Sequence, residues 1–239
     1  MAFRQFQIDD QTTVTIYKRR SNRSLRLSIA SSGKVKISIP LWAPYSAGIT
    51  FAKSKLDWIK SQKRPTNLLV NNQPIGKAHH LTFIPSHSNK LSSRVVGSEV
   101  RVTYPENTAT SEPVVQKSAI TASIRALRSQ AEQLLPQRLA NLAAVNGYQY
   151  RSVSVKRLKS RWGSCDQKGN IILNLFLMQL PWECIDYVLI HELVHTRVMR
   201  HGPDFWQVMK QELPNLDGLK TRIRSYQPIL HGSADANVA

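Results

Sequence analysis

A chain of 239 residues with 33 Lys and Arg against 15 Asp and Glu carries a formal charge of +18, and its 41% hydrophobic content excludes a wholly disordered protein. No apolar run is long enough to span a bilayer, residues 1–10 are too polar for a secretory signal, and Cys165 and Cys184 are too few for a disulfide framework. The expectation is a soluble, cytoplasmic protein of one large or two small domains, with no membrane partner and a preference for anionic surroundings.

Residues 14–17, 25–29 and 35–39 alternate apolar and polar side chains, the period of half-buried strands. Ser31-Ser32-Gly33, between the last two, predicts a hairpin turn. Beyond Pro40 and Pro44, the residues Ile49, Phe51, Ala52, Leu56, Trp58 and Ile59 fit one amphipathic helix ending before Pro65. Two more short strands are predicted over 81–84 and 99–103. The segment 106–113 has almost no large apolar residue, which makes it the candidate linker. Residues 1–112 therefore read as a β-rich basic module, and residues 113–230 as a second domain.

In that second part, 120–145 reads as a helix with Ile124, Leu127, Ala131, Leu134 and Leu135 on one side, and Pro136 is expected to kink or divide it. Strands over 152–156 and 170–175 bracket Arg161-Trp162-Gly163-Ser164-Cys165. Helices follow over 182–199 and 203–212, the second opened by Gly202-Pro203, since proline at the first helical position sacrifices no hydrogen bond. Residues 231–239 read as a flexible tail.

The chemistry concentrates in His191-Glu192-Leu193-Val194-His195, inside a segment whose Trp182, Ile185, Val188 and Leu189 keep the helical period. Residues four apart lie about 40° apart around a helix and about 6 Å along it, so both imidazoles leave one face and can grip one ion. Glu192, a quarter turn round from His191, can reach a water on that ion but is poorly placed as a ligand. This is the pattern needed for metal-activated hydrolysis. With 7 histidines in the chain, it arises by chance about 0.6% of the time. The competing reading is a helix whose histidines are ordinary core or surface residues.

A catalytic zinc takes three protein ligands and keeps one open position. His201 leads for the third, with Asp204 and Glu212 as competitors. On an unbroken helix His201 would lie about 15 Å along the axis from His191, so the helix must stop or turn between Thr196 and Arg200.

These motifs, with Ile172-Leu173-Asn174 and His201-Gly202-Pro203-Asp204-Phe205-Trp206, resemble the YgjP-like metallopeptidases, relatives of the SprT-like and Spartan proteases. The likeness extends more weakly to the basic stretch from Arg19 to Arg26, to Gly33, to residues 35–40 and to Leu56-Asp57-Trp58-Ile59. It spans about 14–212. The resemblance implies an α+β fold: a zincin-like catalytic domain, its active-site helix beside a small sheet, preceded by the β-rich module. It also implies one Zn2+ per chain held by His191, His195 and His201, with Glu192 as catalytic base and a peptide or protein substrate. By the same resemblance, the strand at 170–175 is the candidate edge on which a peptide would pair. Metzincins share the His195-to-His201 spacing but place glycine where this chain has Val198, which argues against a metzincin proper and leaves the geometry of the turn open.

Other residues near the motifs are assigned with less chemistry. Trp162 and Gly163 suit a tight structural turn against the helix. Cys165 would close the site if it were a fourth ligand, making the metal structural. Tyr187 and Arg197 are candidates to stabilise an oxyanion, with plain packing as the alternative. His79, His80 and His87 read as loop residues. Lys18, Arg19, Arg20, Arg23 and Arg26 form the candidate anionic-partner surface, with Tyr17 and Trp42 able to stack on nucleic-acid bases. The rival functions are a nucleic-acid-binding protein with a structural metal, and a metal hydrolase of non-peptide amides or esters.

Overall fold

The computed structural model describes residues 3–10, 12–29, 35–62 and 68–230, and the chain divides into two units, Met1–Thr66 and Asn67–Ala239. In the first, period-two alternation builds strands β1 (Phe3–Asp9), β2 (Thr12–Arg19), β3 (Arg26–Ile29) and β4 (Val35–Pro40), ordered β1-β2-β4-β3. β2 and β4 run parallel, and the outer pairs are antiparallel. Val14, Ile16, Val35, Ile37 and Ile39 share one face and are buried with Ala52 and Ile59. Those last two come from helices α1 (Tyr45–Ser54) and α2 (Leu56–Gln62).

The single helix predicted here is thus two, separated at Lys55, whose φ of −113° leaves the helical range. α1 lies close on the sheet because Gly48 has no side chain; a Cβ there would stand 2.9 Å from Ile16 Cδ1. The turn predicted at Ser31-Ser32-Gly33 and the tail at 231–239 lie outside the described residues.

The second unit opens with a four-stranded sheet of β5 (Pro74–Ile75), β6 (His79–Ser86), β7 (Ser92–Val96) and β8 (Glu99–Pro105), ordered β5-β6-β8-β7. Its Leu81, Val100 and Val102 share one core with Val115, Ala119, Ala122 and Leu127 of helix α3 (Pro113–Val145). The boundary expected near residue 112 therefore falls inside this unit. Two buried glutamines of α3 hold the sheet's loops to the helix. Gln116 accepts from the Leu69 amide and donates to the carbonyls of Leu69 and Thr110. Gln130 accepts from the Lys77 amide and donates to the Ile75 carbonyl. The bonds to Leu69 and Ile75 are buried, where an unpaired backbone group is costly.

Pro136 does not divide α3, which runs 33 residues through it. Leu135 and Leu139 are fully buried on either side, and the carbonyl that Pro136 leaves without a helical donor belongs to exposed Glu132.

Next come β9 (Ser152–Lys156), β10 (Gly163–Cys165) and β11 (Asn170–Asn174), forming a three-stranded sheet ordered β10-β11-β9. A 3-10 turn at Leu175–Gln179 leads to α4 (Trp182–Val194), α5 (Pro203–Glu212) and α6 (Leu216–Arg224). α4 carries His191, and His195 caps its end, beside this small sheet, the α+β, zincin-like arrangement expected from the sequence. The strand at 170–175 is not an edge, however. β11 is paired on both sides, antiparallel to β10 and parallel to β9, and the edge nearest α4 is β10. Among the described residues no helix is long and apolar enough to cross a membrane.

Candidate metal centre

α4 ends at Val194, and His195 is its C-cap. The chain then turns tightly: the amides of Thr196 and Arg197 donate to the carbonyls of Leu193 and Val194, and the Thr196 hydroxyl also donates to Leu193. This brings the chain back, and His201 comes to lie against His191 just before α5 begins at Pro203. The stop required between His195 and His201 is therefore made without glycine at Val198.

His191 Nε2 lies 3.2 Å from His195 Nε2 and 3.0 Å from His201 Nε2. His195 Nδ1 donates to the Val198 carbonyl at 3.2 Å, which leaves its Nε2 bare toward the cluster. Phe205, fully buried on α5, packs its ring against all three imidazoles with centroids 4.7–4.9 Å away. Trp206 stacks on His201 at 5.9 Å, and Lys220 Nζ stands 4.1 Å from the indole centroid. The motif after His201 thus supplies aromatic support for the imidazoles.

Burial, with the neighbouring His195 and His201 adding to it, pushes the His191 pKa down to about 3. His195 is lowered too, again mainly by burial. Neutral imidazoles are the metal-binding form. Burial pushes Glu192 the other way, up to about 8, against the pull of Arg161. Glu192 Oε2 and His191 Nδ1 are buried without a hydrogen-bond partner.

Imidazole nitrogens facing one another this closely repel unless a cation or proton lies among them. Nitrogens bonded tetrahedrally to one ion at 2.0–2.1 Å stand about 3.3 Å apart, close to the two spacings from His191 Nε2, and all three ligand atoms lie within 4.8 Å of one another. His191, His195 and His201 can therefore hold a metal ion.

The competing ligands go elsewhere. Glu212 accepts a 2.8 Å hydrogen bond from the Tyr148 hydroxyl, and Asp204 is exposed on the first turn of α5. Cys165 lines the cleft outside the histidine cluster, and burial raises its thiol pKa to about 11. Arg197 turns away to Tyr148 and the Gly147 carbonyl. Tyr187 does line the cleft. Lys18, Arg19, Arg20, Arg23 and Arg26 belong to the first unit and not to this site.

A cleft of about 510 Å³ exposes the centre, walled by residues 161–165, Tyr187, Val188 and Ile223. The family model described as YgjP-like, metallopeptidase domain, matches residues 23–226. The chain belongs to the YgjP-like family. No curated protein matches it. Solved structures similar to it include two metallopeptidase zymogens. One is the metallopeptidase zymogen of Pyrococcus abyssi abylysin, 26% identical, covering 38% of this chain and 93% of that one with a TM-score of 0.36. The other is the metallopeptidase zymogen of Methanocaldococcus jannaschii jannalysin, 17% identical, covering 38% and 94% with a TM-score of 0.34.

Two contacts in this YgjP-like centre were not foreseen. A Cβ on Gly163 would stand 2.6 Å from Glu192 Oε1 and 2.9 Å from its Cγ and Cδ, so the carboxylate occupies the space a side chain would fill. Asn174, fully buried, donates to the carbonyls of Leu158 and Arg161 and accepts from the Phe176 amide, which fixes the loop leading into β10. Both residues lie in motifs already singled out; only tertiary contact shows what they touch. Gly163→Ala is expected to displace the Glu192 side chain and, on the reading of Glu192 as general base proposed below, to lower turnover about tenfold or more, since small misplacements of a reacting group are costly. Metal content should stay at the wild-type level. Unchanged turnover would mean the carboxylate position is not critical.

Proposed function

We propose that the protein is a zinc-dependent peptidase in which His191, His195 and His201 hold the ion and Glu192 is the general base. The observation that carries this reading is the set of three imidazole nitrogens, the outer two 3.0–3.2 Å from His191 Nε2, in an open cleft beside a buried carboxylate. When bound, zinc supplies Lewis acidity, lowering the pKa of a coordinated water towards about 7 and polarising a carbonyl.

The chain's own groups then have distinct tasks. Glu192 accepts the proton of the attacking water and returns it to the leaving amine. Its tendency to hold a proton, caused by burial, is countered when a dication sits beside it. Tyr187, whose phenol pKa is raised by burial, keeps its proton and can donate to the oxygen that gains negative charge. The outer edge of β10, Gly163–Cys165, offers backbone groups to an extended peptide, replacing β11 in that role. Three protein ligands with Cys165 outside the set favour a catalytic over a structural ion. The free thiols of Cys165 and Cys184 are consistent with action in the cytoplasm.

The test is zinc dependence of hydrolysis. Purified protein should contain about one zinc per chain by elemental analysis, and a chelator should abolish peptide cleavage, which zinc then restores. Zinc well below that ratio that does not rise on addition would overturn the assignment. Cleavage of amide or ester substrates but of no peptide would redirect it to another hydrolase.

A further inference from the structure

The first unit contains 13 Lys and Arg against 3 Asp and Glu, a net of +10 of the chain's +18. The strand register shows where some of that charge is displayed. Phe3 pairs with Tyr17, Tyr17 with Ser38, and Ser38 with Arg26, one row across all four strands. The next row is Gln5, Thr15, Lys36 and Ser28. Alternation puts both rows on the face opposite Val14, Ile16 and Ile37, which are buried. Neither row contains a carboxylate. The face runs from an aromatic pair, with ring centroids 5.6 Å apart, to an arginine, with Lys36 between.

At the end of the same sheet β2 and β4 leave side by side, Arg19 opposite Pro40. There Arg20, Asn22, Arg23, Leu41 and Trp42 line an open recess of about 570 Å³. Lys18 Nζ donates to the Leu41 carbonyl and ties the two exits together. Trp42 is 80% exposed and Phe3 58%. Rings that exposed contribute little to the fold, and Trp42 shares its recess with Arg20 and Arg23.

We propose that this face and recess bind a single-stranded nucleic acid, its bases stacking on Trp42 and on the Phe3–Tyr17 pair, its phosphates meeting Arg19, Arg20, Arg23, Arg26 and Lys36. The ligand must be a polyanion that also presents flat apolar faces. A single strand does both, and every base has a stacking face, so recognition is tolerant of sequence. A duplex keeps its base faces within its own stack. An anionic lipid surface or an acidic peptide would satisfy the arginines and leave the stacked use of the rings unexplained.

The experiment uses the full chain and fluorescence anisotropy with labelled oligothymidylate and oligouridylate, the oligothymidylate–oligoadenylate duplex, and phosphatidylserine vesicles as competitor. Either single strand should bind more tightly than the duplex. Five phosphate contacts predict that log affinity falls with log salt at a slope of about −3.5. Trp42→Ala should weaken single-strand binding about tenfold and leave that slope unchanged. The double variant Arg20→Ala, Arg23→Ala should reduce the slope by about 1.4. Trp42 is exposed enough that its replacement should not move the thermal unfolding midpoint, and peptide hydrolysis should be unaffected. Equal affinity for duplex and single strand with no response to Trp42→Ala would reduce the surface to bare charge and overturn the proposal. So would vesicle binding without oligonucleotide binding, or no binding to either single strand at low salt.

Discussion

Glu192→Gln is expected to lower peptide hydrolysis by roughly 10²- to 10⁴-fold, the range of a lost general base, while zinc content and fold stay intact. The substitution keeps the volume of a side chain that is only 4% exposed and wedged against Gly163. It removes the buried carboxylate that lines the cleft beside the histidines. Stability should not fall. Burial already raises the carboxyl pKa to about 8, which means that the charged form is penalised in the fold, and a neutral amide avoids that penalty. The rate on a peptide substrate and zinc by elemental analysis are measured side by side. Full activity in the variant would remove Glu192 from the mechanism. Loss of zinc would make the carboxylate part of the ligand set.

The centre was legible because much of its information is local. His191 and His195 are four residues apart on a helix whose apolar period is plain, and helical geometry alone puts them on one face. His201 could be placed only by arguing that the helix must stop, and the stop turned out to use Thr196 and main-chain bonds that no residue type announces. β10 was less accessible. Gly163-Ser164-Cys165 has no alternation to read, and it is a strand because β11 pairs with it. Whether a strand is central or at an edge is likewise set by topology, which is why residues 170–175 were expected at an edge that β10 occupies. The polar stretch after Pro105 correctly marks a loop. It could not show that β6 and β8, before it, bury their apolar faces against α3, after it, because composition does not report which core a strand joins.

His201→Ala is expected to lose zinc on dialysis and, with it, hydrolytic activity. His201 is the exposed member of the three, the one beyond α4 and its C-cap, and its ring is held by stacking on Trp206. Removing it leaves two nitrogens where a catalytic zinc takes three protein ligands. Trp206→Ala should give a graded version, weakening zinc about 10- to 100-fold, because it removes support from a ligand and not the ligand itself. The controls separate ligand loss from general damage. Glu212→Ala breaks the Tyr148 hydrogen bond, at a cost of about 1 kcal/mol, and Asp204→Ala changes an exposed side chain. Both should keep zinc at the wild-type level. Thermal unfolding with and without zinc gives an independent readout: an ion that binds only the folded chain raises the midpoint, and that rise should shrink in His201→Ala and persist in the two carboxylate variants. If Glu212→Ala loses the ion while His201→Ala retains it, the third ligand is the glutamate on α5 and the three-histidine assignment fails.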